Sequence, residues 1–292
     1  MELSCCWLYA IFKYGFPPAI KDVFKAVEEI SQMGYKNFEL EAINEKNLRE
    51  LLENKKALKD TMDNSGVKVI NFCPLFRDVF SPNEKAREKA FKLTEKSAEL
   101  ASYFGSNMIQ TDTFTPPIEF IGEVPYKEAI KYGRQIKVEI PKSFNWQKYW
   151  KFFSGNVKRL NEIAKDNSLK FCVEPRVGEV INNTDSLLRL FDEVNDDNFG
   201  AILDTAHLHA QKEIIPLSIE KLGKKIFYVH AADNDSRTNE HLAPGKGTID
   251  WDATFKGLRK FGFNGYVAID VGVAENLIEE YNISKKFLEK YL

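Results

Sequence analysis

All four histidines of the chain fall between positions 207 and 241. Three stand in phrases rich in polar or turn-forming residues: Asp204-Thr-Ala-His207, Val229-His230-Ala-Ala-Asp233-Asn234 and His241-Leu-Ala-Pro-Gly-Lys-Gly247. Imidazole is the commonest protein ligand for a metal and titrates near neutral pH. Four short apolar runs each end in a ligand-type side chain: Lys-Phe-Cys-Val-Glu174, Phe-Gly-Ala-Ile-Leu-Asp204, Ile-Phe-Tyr-Val-His230 and Tyr-Val-Ala-Ile-Asp270. Three carboxylates gathered at one place repel each other unless a cation or protons offset the charge. One divalent ion does this directly. A set of one imidazole and three carboxylates suits manganese, magnesium or cobalt, and zinc is accommodated. Taken singly, each acid is better explained by a Lys or Arg partner at a solvated rim, and each histidine by an ordinary core or surface role. The register of four ends is what favours a metal.

His207, close after Asp204, is placed to reach the same cavity. Arg237 is a candidate to hold a substrate oxygen or phosphate through its two-pronged guanidinium, with a surface role nearly as good an account. His209 reads as structural or exposed, and His241 sits in a loop too irregular to place.

These side chains need elements to position them. Short apolar runs alternate with longer amphipathic ones. The strands are expected at 3–9, 37–41, 67–72, 107–111, 169–174, 199–204, 225–230 and 266–270. Helices are expected between them, at 17–33, 47–64, 83–104, 146–166, 184–194, 212–222 and 250–261, with a last one at 275–291. Strict alternation implies a parallel sheet. Eight units in a chain of 292 residues point to a closed α/β barrel, a (β/α)8 TIM barrel spanning 1–292 as one domain. Such a barrel carries its chemistry at the C-terminal strand ends, where the polar residues are Glu41, Asp112, Glu174, Asp204, His230 and Asp270. Trp7 and Phe72, near the ends of the first and third strands, are candidates to wall the substrate, although aromatics are more often plain core. The stretch 112–145 is a long insertion after the fourth strand. With Phe114, Phe120, Tyr126, Tyr132 and Arg134 it reads as a lid or a subunit contact rather than a disordered segment.

Composition narrows the function. The chain is 43% hydrophobic and 29% charged, as globular proteins are. A formal net charge of -2 offers no global field for nucleic acid or an anionic membrane. No apolar run approaches a membrane span, and the start lacks a basic secretory leader. Cys5, Cys6, Cys73 and Cys172 form no Cys-x-x-Cys pair and lie in apolar runs, as buried thiols of a reducing compartment do. A cytoplasmic protein with a small-molecule partner is expected. A homo-oligomer is compatible with the sequence.

The phrases Val173-Glu174-Pro175, Leu203-Asp204-Thr-Ala-His207, Val229-His230-Ala-Ala-Asp233-Asn234 and His241-Leu-Ala-Pro-Gly-Lys-Gly-Thr-Ile-Asp250-Trp251 resemble the xylose isomerase-like barrel superfamily. That superfamily includes sugar-phosphate isomerases and epimerases. The resemblance implies a metal held by Glu174, Asp204, His230 and Asp270, with Glu174 and Asp270 also moving the substrate proton. It implies substrate contacts from His207 and Arg237, and from an acid falling near Glu179. Where the related epimerases carry a second glutamate this chain has Asp270, one methylene shorter.

The implied activity is metal-dependent isomerisation or epimerisation of a sugar, sugar phosphate or inosose. A carboxylate removes the proton beside a carbonyl, giving an enediolate. Loss of a β-hydroxyl instead would make the chain an inosose dehydratase-like lyase. A non-catalytic sugar-binding barrel is a further alternative. The apurinic endonucleases of the same superfamily are the poorest match, because the third and fourth strands end without histidine and Asn239 stands where an aspartate is expected.

Overall fold

The structure is a computed structural model and describes residues 1–121, 137–272 and 274–292. Its strands are β1 (Glu2–Cys5), β2 (Asn37–Ala42), β3 (Lys68–Pro74), β4 (Met108–Thr111), β5 (Glu119–Phe120), β6 (Val138–Glu139), β7 (Lys170–Val173), β8 (Phe199–Asp204), β9 (Ile226–Ala231) and β10 (Tyr266–Ile269). Eight of them close in the order β1-β10-β9-β8-β7-β4-β3-β2. All the barrel pairs are parallel, which is the expected eight-unit barrel.

The helices are α1 (Leu8–Tyr14), α2 (Ile20–Gln32), α3 (Glu45–Glu53), α4 (Lys55–Ser65), α5 (Glu84–Phe104), α6 (Trp146–Asp166), α7 (Thr184–Val194), α8 (Thr205–Ala210), α9 (Ile215–Leu222), α10 (Trp251–Lys260) and α11 (Leu277–Leu288). Local chemistry sets their ends. Asn183 accepts from the backbone of Ser186 while the Ser186 hydroxyl faces the Asn183 N–H, a reciprocal cap that starts α7. Gly105 closes α5 at φ 79°, a conformation that costs glycine nothing.

Alternation along the strands divides the core into two layers. One set of side chains points out against the helices, among them Phe38, Leu40, Phe171, Val173, Leu203, Val229 and Ile269. The other fills the lumen with Ile70, Met108, Cys172, Ile202, Tyr228 and Ala268. A lumen packed with apolar side chains is a floor, not a pore.

Three sequence expectations are corrected. The first strand stops at Cys5, and Trp7 stands at the start of α1 instead of on a strand end. The single helix expected at 47–64 is two, because the Asn54 amide bonds back to the Glu50 carbonyl and closes α3 there. The segment after β8 folds into α8 and α9 with Lys212 at φ 68° between them, which places His207 and His209 on a short helix. In the long insertion, β5 and β6 pair antiparallel, and Phe114 packs on Phe80 with ring centroids 6.3 Å apart. Tyr126, Tyr132 and Arg134 lie outside the described residues. Among the described residues no helix is long and apolar enough to cross a membrane.

Candidate active site

The period of two that fills the lumen also aims the site. Cys172, Ile202, Tyr228 and Ala268 face inward. Two positions further along the same chain direction come Glu174, Asp204, His230 and Asp270. They therefore project above the apolar floor at the C-terminal mouth. Their ligand atoms all lie within 4.8 Å of one another. All four are buried, with relative exposures of 3%, 0%, 3% and 5%. The four strand ends that the sequence singles out thus meet at one mouth of the barrel.

His230 is the hub. Its Nδ1 lies 2.9 Å from Glu174 Oε1, 3.7 Å from Asp204 Oδ2 and 3.9 Å from Asp270 Oδ2. On its other side, Nε2 lies 2.8 Å from Glu39 Oε1. Burial disfavours a charged imidazole here, but Glu39 and Glu174 outweigh it and raise the His230 pKa well above the ordinary value. Asp204 Oδ1 caps α8 by accepting from the His207 N–H at 2.7 Å, while Asp204 Oδ2 is buried with no hydrogen-bond partner. A buried carboxylate oxygen without a donor costs free energy unless a cation meets it.

That orphaned oxygen, three carboxylates and one imidazole fit a divalent ion. Two overlapping groups also bring ligand atoms together: Asp204, His207 and His241, and Cys6, Glu39 and His230. In the first, other groups already engage the rings. Asn239 Nδ2 lies 3.0 Å from His207 Nδ1 and 3.1 Å from His241 Nε2, and the Val177 N–H donates to His207 Nδ1 at 3.3 Å. In the second, burial pushes the Cys6 thiol up and keeps it protonated.

His241 Nδ1 sits 3.0 Å from Asp270 Oδ2. Burial opposes the charge on His241, but Asp270 prevails and its pKa rises to about 9. Burial equally disfavours the Asp270 carboxylate, yet His241 holds its pKa well below the usual range. His207 is the reverse case: burial first, then the charges of Arg176 and His241, lowers it well below the ordinary value, so it is neutral.

Glu174, His230 and Asp270 line a cavity of about 380 Å³. His207 and His241 both reach it. Arg237 does not: its side chain is 86% exposed and 3.5 Å from Asp235, because the loop turns it into solvent. Arg176 lines the cavity instead, with Nη1 donating to Asp112 Oδ2 at 2.8 Å. Glu179 is buried beneath the wall, where it accepts from the Thr113 N–H (2.8 Å), the Thr113 hydroxyl (3.0 Å) and the Phe114 N–H (2.9 Å) and so pins the chain leaving β4. Trp7 packs on Phe38 in the outer layer. Phe72 also points outward, while its neighbour Cys73 faces the cavity. Both aromatics are core: Phe72 is one residue out of phase with the lumen, and Trp7 lies past the end of β1. His209 meets Thr248 at 2.9 Å, away from the site.

Sequence reasoning missed Glu39, Cys6 and Arg176. Glu39 had a legible signal: it is an acid flanked by the buried apolar residues Phe38 and Leu40 on an otherwise core strand.

Comparison with known proteins agrees with this architecture. The family model for the xylose isomerase-like TIM barrel matches residues 27–291. The inosose isomerase of Bacillus subtilis is 31% identical over 121 residues, covering 38% of this chain and 43% of that protein. The matched stretches span less than half of such curated relatives. D-psicose 3-epimerase of Clostridium cellulolyticum H10, solved with D-tagatose, superposes with a TM-score of 0.77 at 16% identity, over 100% of this chain and 99% of that one. The IOLI protein, solved with a bound zinc atom, gives 0.74 at 20% identity, over 100% and 99%. At these identities the superpositions speak for the fold alone. With the family model covering nearly the whole length, the chain belongs to the xylose isomerase-like TIM barrel family.

Proposed function

We propose that this protein is a metal-dependent isomerase or epimerase of a polyhydroxy carbonyl compound, a sugar or an inosose. The observation that carries the reading is the buried set of Glu174, Asp204, His230 and Asp270, with the Asp204 Oδ2 atom lacking any donor. The named activities of the inosose isomerase and D-psicose 3-epimerase relatives support the same class. Manganese, magnesium, cobalt and zinc all suit the donor set, and zinc occupies the IOLI protein.

When bound, the ion would polarise the substrate carbonyl and a neighbouring hydroxyl and so acidify the hydrogen on the adjacent carbon. The chain supplies the rest. Glu174, at the cavity wall, is the base that takes this hydrogen. Delivery to the neighbouring carbon isomerises, and delivery to the opposite face of the same carbon epimerises. Asp270 is paired with His241 at 3.0 Å and carries the shorter side chain, which suits a ligand; Glu174 alone serves same-face transfer to the neighbouring carbon, and epimerisation requires Asp270 as the proton donor on the other face. The neutral His207 and the amide of Asn239 are available to substrate hydroxyls.

The test couples metal analysis to deuterium uptake from solvent, using D-fructose, D-tagatose and an inosose as probes. One equivalent of divalent metal and substrate labelling are expected. Glu174→Gln should lower exchange about 10²–10⁴-fold with the fold intact. Full exchange by that variant would remove Glu174 from the role, and labelling by metal-free protein would remove the ion.

A further inference from the structure

The cavity has a second polar wall that proton transfer leaves unused. The ends of β2 and β4 bring Glu41 and Asp112 to its surface, with Gln110 beside them. Glu41 Oε2 and Asp112 Oδ1 are buried oxygens with no hydrogen-bond partner. Asp112 is only 7% exposed. Its other oxygen is satisfied by Arg176 at 2.8 Å. A buried oxygen left without a donor costs free energy, and two such atoms on one cavity wall point to donors that arrive with a ligand.

Charge narrows the ligand further. Among the described residues Arg176 is the one Lys or Arg lining the cavity. It is already shared by Asp112 at 2.8 Å and by Glu174 and Glu179 at 3.8 Å. A phosphate or carboxylate on the substrate would face acids here. Another part of the wall is apolar, formed by Leu8, Ile11, Phe12 and Phe16, and suits the C–H face of a sugar ring.

We propose that Glu41 and Asp112 hold the substrate hydroxyls remote from the reacting carbons, and that the substrate is a neutral, unphosphorylated polyhydroxy ketone. This rests on the isomerase or epimerase reading and adds the substrate class to it.

The experiment compares wild type, Glu41→Gln and Asp112→Asn by deuterium exchange and by calorimetric binding. The probes are D-fructose, D-tagatose, an inosose, a ketohexose lacking one remote hydroxyl, and D-fructose 6-phosphate. The metal-loaded protein is used throughout, and melting curves confirm that each variant is folded. Wild type should favour the best neutral ketone over the phosphate ester by roughly tenfold or more. Each variant should raise KM and Kd for that ketone roughly tenfold, with kcat within about twofold, and should leave the analogue lacking the contacted hydroxyl unchanged. Equal KM and Kd in wild type and both variants would overturn the proposal, as would preference for the phosphate ester. If wild type binds neutral ketones through Glu41 and Asp112 but exchanges no label, the isomerase reading fails while the recognition wall stands. If exchange is intact but indifferent to both variants, the wall fails alone.

Discussion

Glu39 and His230 set the quality of the proposed metal centre. A ligating imidazole must be held in one orientation with one nitrogen lone pair free for the ion, and a carboxylate accepting from the far N–H fixes that tautomer and raises the basicity of the ligating nitrogen. Glu39 stands there at 2.8 Å. Glu39→Gln keeps the shape but weakens the acceptor, so affinity for manganese or zinc should fall about 10–100-fold by titration calorimetry. Unchanged affinity would show that Glu39 does not orient His230. At this scale the sequence was legible where a ligand-type residue ended an apolar run, as at positions 174, 204, 230 and 270. It was not legible for Arg237 against Arg176. Both are loop arginines, and only the path of the backbone sends one into solvent and the other to the cavity. Phe72 failed for a related reason, since a shift of one position moves a side chain from lumen to outer layer, and Trp7 failed because the first strand ends before it.

The loop from β9 to α10 is the element that delivers His241 and Asn239, and Asp233 organises it. This fully buried carboxylate accepts from the N–H groups of Gly245 (2.9 Å) and Ile249 (3.2 Å) and from the Trp251 indole (2.8 Å). Its backbone exchanges two hydrogen bonds with Leu242, each of 2.8 Å. Gly247 lies so close that a Cβ there would collide with the Asp233 carboxylate and the Asn234 backbone. Asp233→Ala should cost about 3 kcal/mol or more, because it strands several buried donors at once. Chemical denaturation measures this, and a loss under about 0.5 kcal/mol would show that the loop holds itself. The phrase from His241 to Gly247 was visible in the sequence as a glycine-bearing turn region. Its fold was not, because the partner that shapes it comes from the preceding strand end.

For the whole molecule, closure of the barrel stores electrostatic cost at one mouth. Glu39, Glu174, Asp204 and Asp270 are buried around one imidazole, an arrangement that a bound cation relieves. A ligand that binds only the folded state at 100 times its Kd stabilises by about 2.7 kcal/mol. Melting temperature should therefore rise with added manganese or zinc and fall with chelator, and Asp204→Asn should remove most of the response. A melting curve indifferent to metal and chelator in the wild type would sink the metal centre. The order and spacing of apolar runs already determined the eight-unit barrel and which strand ends carry acids and an imidazole, because buried strands and amphipathic helices have local periods that a linear text displays. Only the tertiary structure decided that Glu39 meets His230 across the lumen, that Asn239 links His207 with His241, and that Glu41 and Asp112 share a wall. Those meetings join residues distant in the chain, and they depend on strand register and loop path, which no local period encodes.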